Sequence, residues 1–190
     1  MSNIAIFASG SGTNAENIIQ FFRPNTSVNI NLVVSNNADA KVLDRAKKYD
    51  TPAVVINRND LYNSDRVLNQ LSSYAITHIV LAGFLWLIPS DLVKAYPNRI
   101  INIHPALLPK YGGKGMYGSR VHEAVINAGE NESGITIHYV NEKYDEGNII
   151  FQASCPVMEN DSPDDLADRI HKLEYEHYPR VIEEVIEGGG

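Results

Sequence analysis

Short runs rich in Ile, Val and Leu alternate along most of this chain with segments whose apolar residues recur at helical spacing. That alternation constrains the fold more than any other feature. A parallel strand needs a crossover, and a helix is the usual one, so the pattern predicts an α/β chain with helices on both faces of a mostly parallel sheet. The expected strands are Asn3–Ala8, Asn29–Ser35, Ala53–Ile56, Thr77–Ala82 and Ile100–Ile103. Between them, helices are expected over Glu16–Phe22, Ala40–Tyr49, Ser64–Tyr74 and Pro89–Tyr96.

The rhythm changes after residue 106. A Gly-rich loop over Leu107–Tyr117 precedes a helix over Gly118–Ala128. Two further strands, Gly134–Val140 and Asn148–Val157, are joined by Asn141–Gly147. A connection of about seven residues is too short for a helical crossover, so these strands should be antiparallel. Ser162-Pro163-Asp164-Asp165 reads as a helix start, with a Ser cap, Pro at the first position and acids in the first turn. That helix should run to about Glu187, with a bend at Pro179. The expectation is one domain over residues 1–187 and a flexible Gly tail at 188–190.

With 190 residues, 44% of them hydrophobic and 21% charged, the chain has the make-up of a globular domain. A net charge of −7 without a Lys/Arg cluster argues against a nucleic-acid surface. A single cysteine cannot close an internal disulfide. No run has the length of a membrane span, and the first residues enter a strand without a signal peptide, so a cytoplasmic protein is expected.

Chemistry concentrates at Ile100-Ile101-Asn102-Ile103-His104-Pro105. Asn102 and His104 are two apart, which in a strand puts both side chains on one face. Pro105 ends the strand and Pro109 bounds the loop after it. An Asn amide can hydrogen-bond a carbonyl oxygen as it becomes an oxyanion, and a neighbouring His can move a proton near neutral pH. Together they suit acyl transfer to an amine or to water.

Gly10-Ser11-Gly12-Thr13-Asn14-Ala15, between a strand and a helix, fits a loose G-x-G-x-x-A pattern. A dinucleotide site would want an acid at the end of the second strand, where Ser35-Asn36-Asn37 stands instead. A single phosphate is therefore favoured, with Thr13 and Asn14 as extra donors. The apolar loop Phe84–Ile88 is either core or a slot for a flat ligand. Tyr144-Asp145-Glu146-Gly147 is ordinary turn chemistry unless Asp145 lies near His104. Its charge would then favour imidazolium and raise the His104 pKa. Scattered histidines and the absence of Cys pairs give no metal site.

Three of these stretches, in this order, resemble the folate-dependent formyltransferase family: Gly10–Asn14, Asn102-Ile103-His104-Pro105-Ala106-Leu107-Leu108-Pro109, and Tyr144-Asp145-Glu146-Gly147-Asn148-Ile149-Ile150. The likeness runs from the first strand to the last helix, and the first motif points to the phosphoribosylglycinamide-formylating branch. It implies a Rossmann-like formyltransferase fold, 10-formyltetrahydrofolate as cosubstrate, and no metal. Asn102 would hold the formyl oxygen, His104 would donate a proton, and Asp145 would raise its pKa. Gly12, Thr13 and Asn14 would hold the acceptor's phosphate, with Glu174 near its ribose. Leu85, Trp86, Leu87 and Ile88 would line the pterin slot, together with Asn102. Trp86 stands where the family often has Arg, and Arg58 is the candidate for the arginine that contacts folate.

The resemblance implies small-molecule substrates, no nucleic acid or membrane partner, and a monomer or homodimer. Methionyl-tRNA formyltransferases carry a further C-terminal domain for which this length leaves no room. Formyltetrahydrofolate hydrolase, which usually adds an N-terminal regulatory domain, and a non-catalytic phosphate-binding module are the alternatives. A dehydrogenase is disfavoured by the missing second-strand acid.

Overall fold

A computed structural model describes residues 1–25 and 27–188. It is a mixed α/β structure with seven strands, whose contacts cluster into two compact units, Met1–Ile101 and Asn102–Gly190.

In the first unit β1 (Ser2–Phe7) is central. It pairs in parallel with β2 (Val28–Ser35) on one side and β4 (His78–Leu81) on the other, and β2 pairs in parallel with β3 (Ala53–Val55). Ile4, Ala5, Ile6 and Phe7 are all fully buried, as an inner parallel strand covered on both faces requires. Each large side chain of that kind contributes about 1.5–3 kcal/mol of burial. The crossovers are α1 (Thr13–Phe22), α2 (Lys41–Lys48), α3 (Arg58–Tyr62), α4 (Arg66–Ser73) and α5 (Ser90–Ala95).

The helix expected over Ser64–Tyr74 is shorter, and α3 precedes it. Asn57 and Asp60 form a reciprocal capping box there: Asp60 N–H donates to the Asn57 side chain, and Asn57 N–H to the Asp60 carboxylate, both at 2.9 Å. That pairing is a sequence-level start signal with Asp in the usual Glu position.

Strand β5 (Ile100–His104) ends in the second unit, where β6 (Glu132–Tyr139) pairs antiparallel with β7 (Ile149–Pro156), as the short connection predicted. Helix α6 (Ser119–Asn127) and helix α7 (Pro163–Gly188) complete this unit, and α7 continues through Pro179 as one helix. The expected cap is present. Ser162 Oγ accepts from Asp165 N–H at 3.2 Å, and Asp165 accepts from Ser162 N–H at 2.9 Å. Of the expected tail, Gly188 closes α7, and residues 189 and 190 lie outside the described residues.

The glycine turn is shaped by α2. Gly12 has φ +71°, and a Cβ there would come within 2.5 Å of the Val42 side chain. The Gly12→Ala substitution combines a left-handed penalty of roughly 1–2 kcal/mol with overpacking of about 1–3 kcal/mol. Urea unfolding should therefore show a loss of about 2 kcal/mol or more, and a change under about 0.5 kcal/mol would contradict this packing.

Candidate active site

Strand alternation places Asn102 and His104 as the sequence predicts, and the second unit gathers three more groups around them. His104 is 3% exposed. Its Nε2 lies 2.8 Å from the Tyr111 carbonyl oxygen, and its Nδ1 is 3.6 Å from Asp145 Oδ2. A carbonyl only accepts, so Nε2 carries the proton of the neutral ring and Nδ1 presents a lone pair towards Asp145. The Asp145 carboxylate accepts from Gly113 N–H at 2.9 Å and lies 3.5 Å from Asn102 Nδ2.

His138, which sequence reasoning did not single out, completes the cluster. It is 2% exposed. Its Nδ1 donates to the Tyr139 carbonyl at 2.9 Å, which leaves Nε2 to accept from Asn102 Nδ2 at 3.1 Å. Asn102 Nδ2 thus reaches two acceptors, His138 Nε2 and, over a longer contact, Asp145 Oδ1, and a developing oxyanion could replace the longer of the two. The missed signal lies in β6. Thr136 and His138 interrupt an apolar strand two residues apart, just as Asn102 and His104 interrupt β5. Thr136 Oγ1 donates to the Ala106 carbonyl at 2.7 Å and accepts from Leu108 N–H at 3.0 Å, pinning the Pro-bounded loop. The Leu108–Pro109 bond in that loop is cis.

The electrostatics correct one expectation. Asp145 does meet His104, and its charge does push the imidazole towards protonation. Burial pushes harder the other way, however, so the His104 pKa lies below its ordinary value rather than above it. Burial also works against the Asp145 carboxylate. There the neighbouring His138, the His104 charge and the Gly113 amide together win, and its pKa is held low. The resting pair at neutral pH is a carboxylate beside a neutral, desolvated imidazole.

In the first unit, the glycine turn is clamped from α2. Val42 N–H donates to the Gly10 carbonyl at 3.2 Å, and Arg45 Nε donates to the Ser11 carbonyl at 2.7 Å. Glu16 in the first turn of α1 pairs with Arg45 and with Lys48 Nζ, so its charge is offset where the N-terminus of α1 would face an anion. Thr13 opens α1 and Asn14 follows it.

In the apolar loop, Leu85 is exposed, Trp86 and Leu87 are half-buried, and Ile88 is buried. Arg58 and Trp86 meet: the guanidinium lies 4.8 Å from the indole centroid, and Tyr62 lies beside the same ring while its hydroxyl donates to the Leu87 carbonyl at 2.9 Å. The Arg58 guanidinium thus stands over the face of the Trp86 ring. Glu174 is buried in α7. Among the described residues, no group of three His, Cys, Asp or Glu side chains could hold a metal ion.

A family model described as formyl transferase matches residues 2–182. Among curated proteins, the chloroplastic phosphoribosylglycinamide formyltransferase of Arabidopsis thaliana is 40% identical over 97% of this chain, which spans 65% of that protein. The phosphoribosylglycinamide formyltransferase of Haemophilus influenzae is 39% identical, over 99% of this chain and 89% of its own. The Bacillus subtilis protein of the same name is 36% identical, over 98% and 95%. Among solved structures, glycinamide ribonucleotide transformylase 1 from Symbiobacterium toebii superimposes with a TM-score of 0.90 at 33% identity, covering 99% of this chain and 89% of that one.

His122, on α6, is a further buried imidazole, 4% exposed, whose Nδ1 has no hydrogen-bond partner. Burial, with the charges of His171 and His104, pushes its pKa down to about 4 against the opposing pull of Asp164. The unfolded chain therefore takes up a proton near pH 6.5 that the folded chain refuses, and stability falls as pH drops from about 6.5 to about 4. Burial lowers the His104 and His78 pKa values too, so both act in the same direction. Urea unfolding across that window should show the loss, and His122→Leu should flatten the slope by up to one proton. An unchanged slope in the variant would contradict the assignment to His122.

Proposed function

We propose that this chain, which belongs to the formyl transferase family, moves a formyl group from 10-formyltetrahydrofolate to the amine of 5-phosphoribosylglycinamide. The products would be formylglycinamide ribonucleotide and tetrahydrofolate, a step of de novo purine synthesis. The observation that carries this reading is the cluster of Asn102, Asp145 and the buried His104 in a chain whose relatives bear that enzyme's name. Both units act as one formyltransferase domain, residues 1–187, without a metal. The enzyme works in the cytoplasm as a monomer or homodimer on small molecules alone. No described helix is long and apolar enough to cross a membrane.

The mechanism follows from the cluster. The amine attacks the formyl carbon, and the oxygen that gains charge is met by Asn102 Nδ2, taking the place of that amide's long contact to Asp145. The incoming amine must lose a proton and the folate nitrogen must gain one before it leaves. A neutral His104 with its lone pair on Nδ1 takes the first, becomes an imidazolium facing Asp145, and gives the proton up again. The lowered resting pKa of His104 fits this order better than a resting imidazolium donor.

By the family likeness, Gly12, Thr13 and Asn14 hold the acceptor phosphate and Glu174 its ribose. Leu85, Trp86, Leu87 and Ile88 receive the pterin with Asn102. Arg58, on the face of Trp86, supplies the charge for the folate's carboxylates. The clamp from α2 on the glycine turn supports the phosphate role, because it fixes the turn's carbonyls away from an incoming anion.

A spectrophotometric assay with a 10-formylfolate donor, run with and without phosphoribosylglycinamide, tests the proposal. Deformylation that requires the acceptor is expected. Acceptor-independent formate release would point to a hydrolase, and no reaction would leave a phosphate-binding module. The Asn102→Ala and His104→Ala variants should each lose about 10²-fold or more in kcat while remaining folded, and near-normal turnover in either would remove the role given to it.

A further inference from the structure

The hydrogen bond that commits His104 Nε2 ends on a backbone carbonyl, and that carbonyl belongs to an unusual residue. Tyr111 has φ +56°, a left-handed conformation that a residue with a Cβ adopts only when its surroundings hold it there. It lines a cavity of about 310 Å³ together with Leu107, Leu108, Pro109 and Val125. Its hydroxyl donates to Glu130 Oε1 at 2.9 Å. The exposed Lys110 Nζ donates to the same oxygen at 2.8 Å. Glu130 lies between α6 and β6, and its side chain is 28% exposed.

We propose that Glu130 is a positioning residue for His104. By accepting the Tyr111 hydroxyl's hydrogen bond it keeps the Tyr111 carbonyl on Nε2, and so reserves Nδ1 for the side of the ring that faces Asn102 and Asp145.

The logic is one of tautomers. A neutral imidazole carries its single proton on whichever nitrogen has the better acceptor. Two acceptors compete for His104: the Tyr111 carbonyl at Nε2 and the Asp145 carboxylate 3.6 Å from Nδ1. The remaining groups that act on the ring, His138 from β6 and His122 from α6, do not offer it a competing acceptor within hydrogen-bond reach among the interactions described. If the Tyr111 carbonyl swings away, Asp145 becomes the better acceptor and the proton moves to Nδ1. The lone pair would then lie on the wrong nitrogen. That Nδ1 handles the reaction's proton rests on the function proposed above, whereas the tautomer choice does not.

The test is NMR of ¹⁵N-histidine-labelled protein, with His104 assigned from the spectrum of His104→Gln. In the unsubstituted protein the neutral His104 ring should be almost entirely the Nε2–H form. In Tyr111→Phe and Glu130→Ala the Nδ1–H form should rise to about a third or more. Glu130→Gln still offers the hydroxyl an acceptor oxygen and should restore the native spectrum, and Lys110→Met should leave it unchanged.

Turnover gives the second readout. Tyr111→Phe and Glu130→Ala should lower kcat by about three- to tenfold with both KM values within about twofold, and Glu130→Gln should recover it. His104 spectra that stay native in both Tyr111→Phe and Glu130→Ala would overturn the inference, as would an equal disturbance in all four variants. If the unsubstituted protein shows no transfer while the tautomer shifts as described, the proposed function fails and this inference stands.

Discussion

A carboxylate held out of water between two imidazoles is the constraint on which the candidate site depends. Asp145 stands 3.6 Å from both His104 Nδ1 and His138 Nε2, with its side chain only 11% exposed. Removing such a charge from water is costly unless donors replace the lost solvent. Gly113 N–H is the firmest replacement, and it ties the Gly-rich loop to the charge. Asp145 itself sits at φ +55°, so the connection between β6 and β7 bends through an unfavourable conformation to deliver the carboxylate. The charge and the Gly-rich loop thus hold each other in place.

Burial and charge act against each other at His104, and the balance sets its chemistry. Desolvation lowers the ring's affinity for a proton, and the Asp145 charge raises it. With both present, the ring rests neutral and becomes a cation only beside a carboxylate that stabilises it. At His122 the opposing carboxylate is Asp164, the weakest of the four influences, and burial pushes the pKa down to about 4. His104 thus differs from His122 in having a carboxylate 3.6 Å from its ring.

Much of this was legible in the sequence. The βα alternation gave the parallel strands, the short connection gave the antiparallel pair, and the spacing of Asn102 and His104 put them on one face. The meeting of Asp145 with His104 came only through family likeness, because a turn Asp carries no signature of what it faces. The sign of the His104 shift was not legible, since it depends on how completely the ring is buried. His138 left a faint trace in the Thr136 and His138 alternation. The Tyr111 carbonyl left none, because a backbone acceptor is the same at every residue. The Arg58 and Trp86 contact depends on α3, which the Asn57 and Asp60 capping pair could have announced had Asp been weighed in the Glu position.

The most direct measurement is the ionisation midpoint of His104 in Asp145→Asn, read by NMR against the unsubstituted protein. Burial remains in that variant while the opposing charge is gone, so the midpoint should fall further below the ordinary histidine value. A midpoint that stays where it was, or rises, would contradict the role given to Asp145 and the proton path built on it.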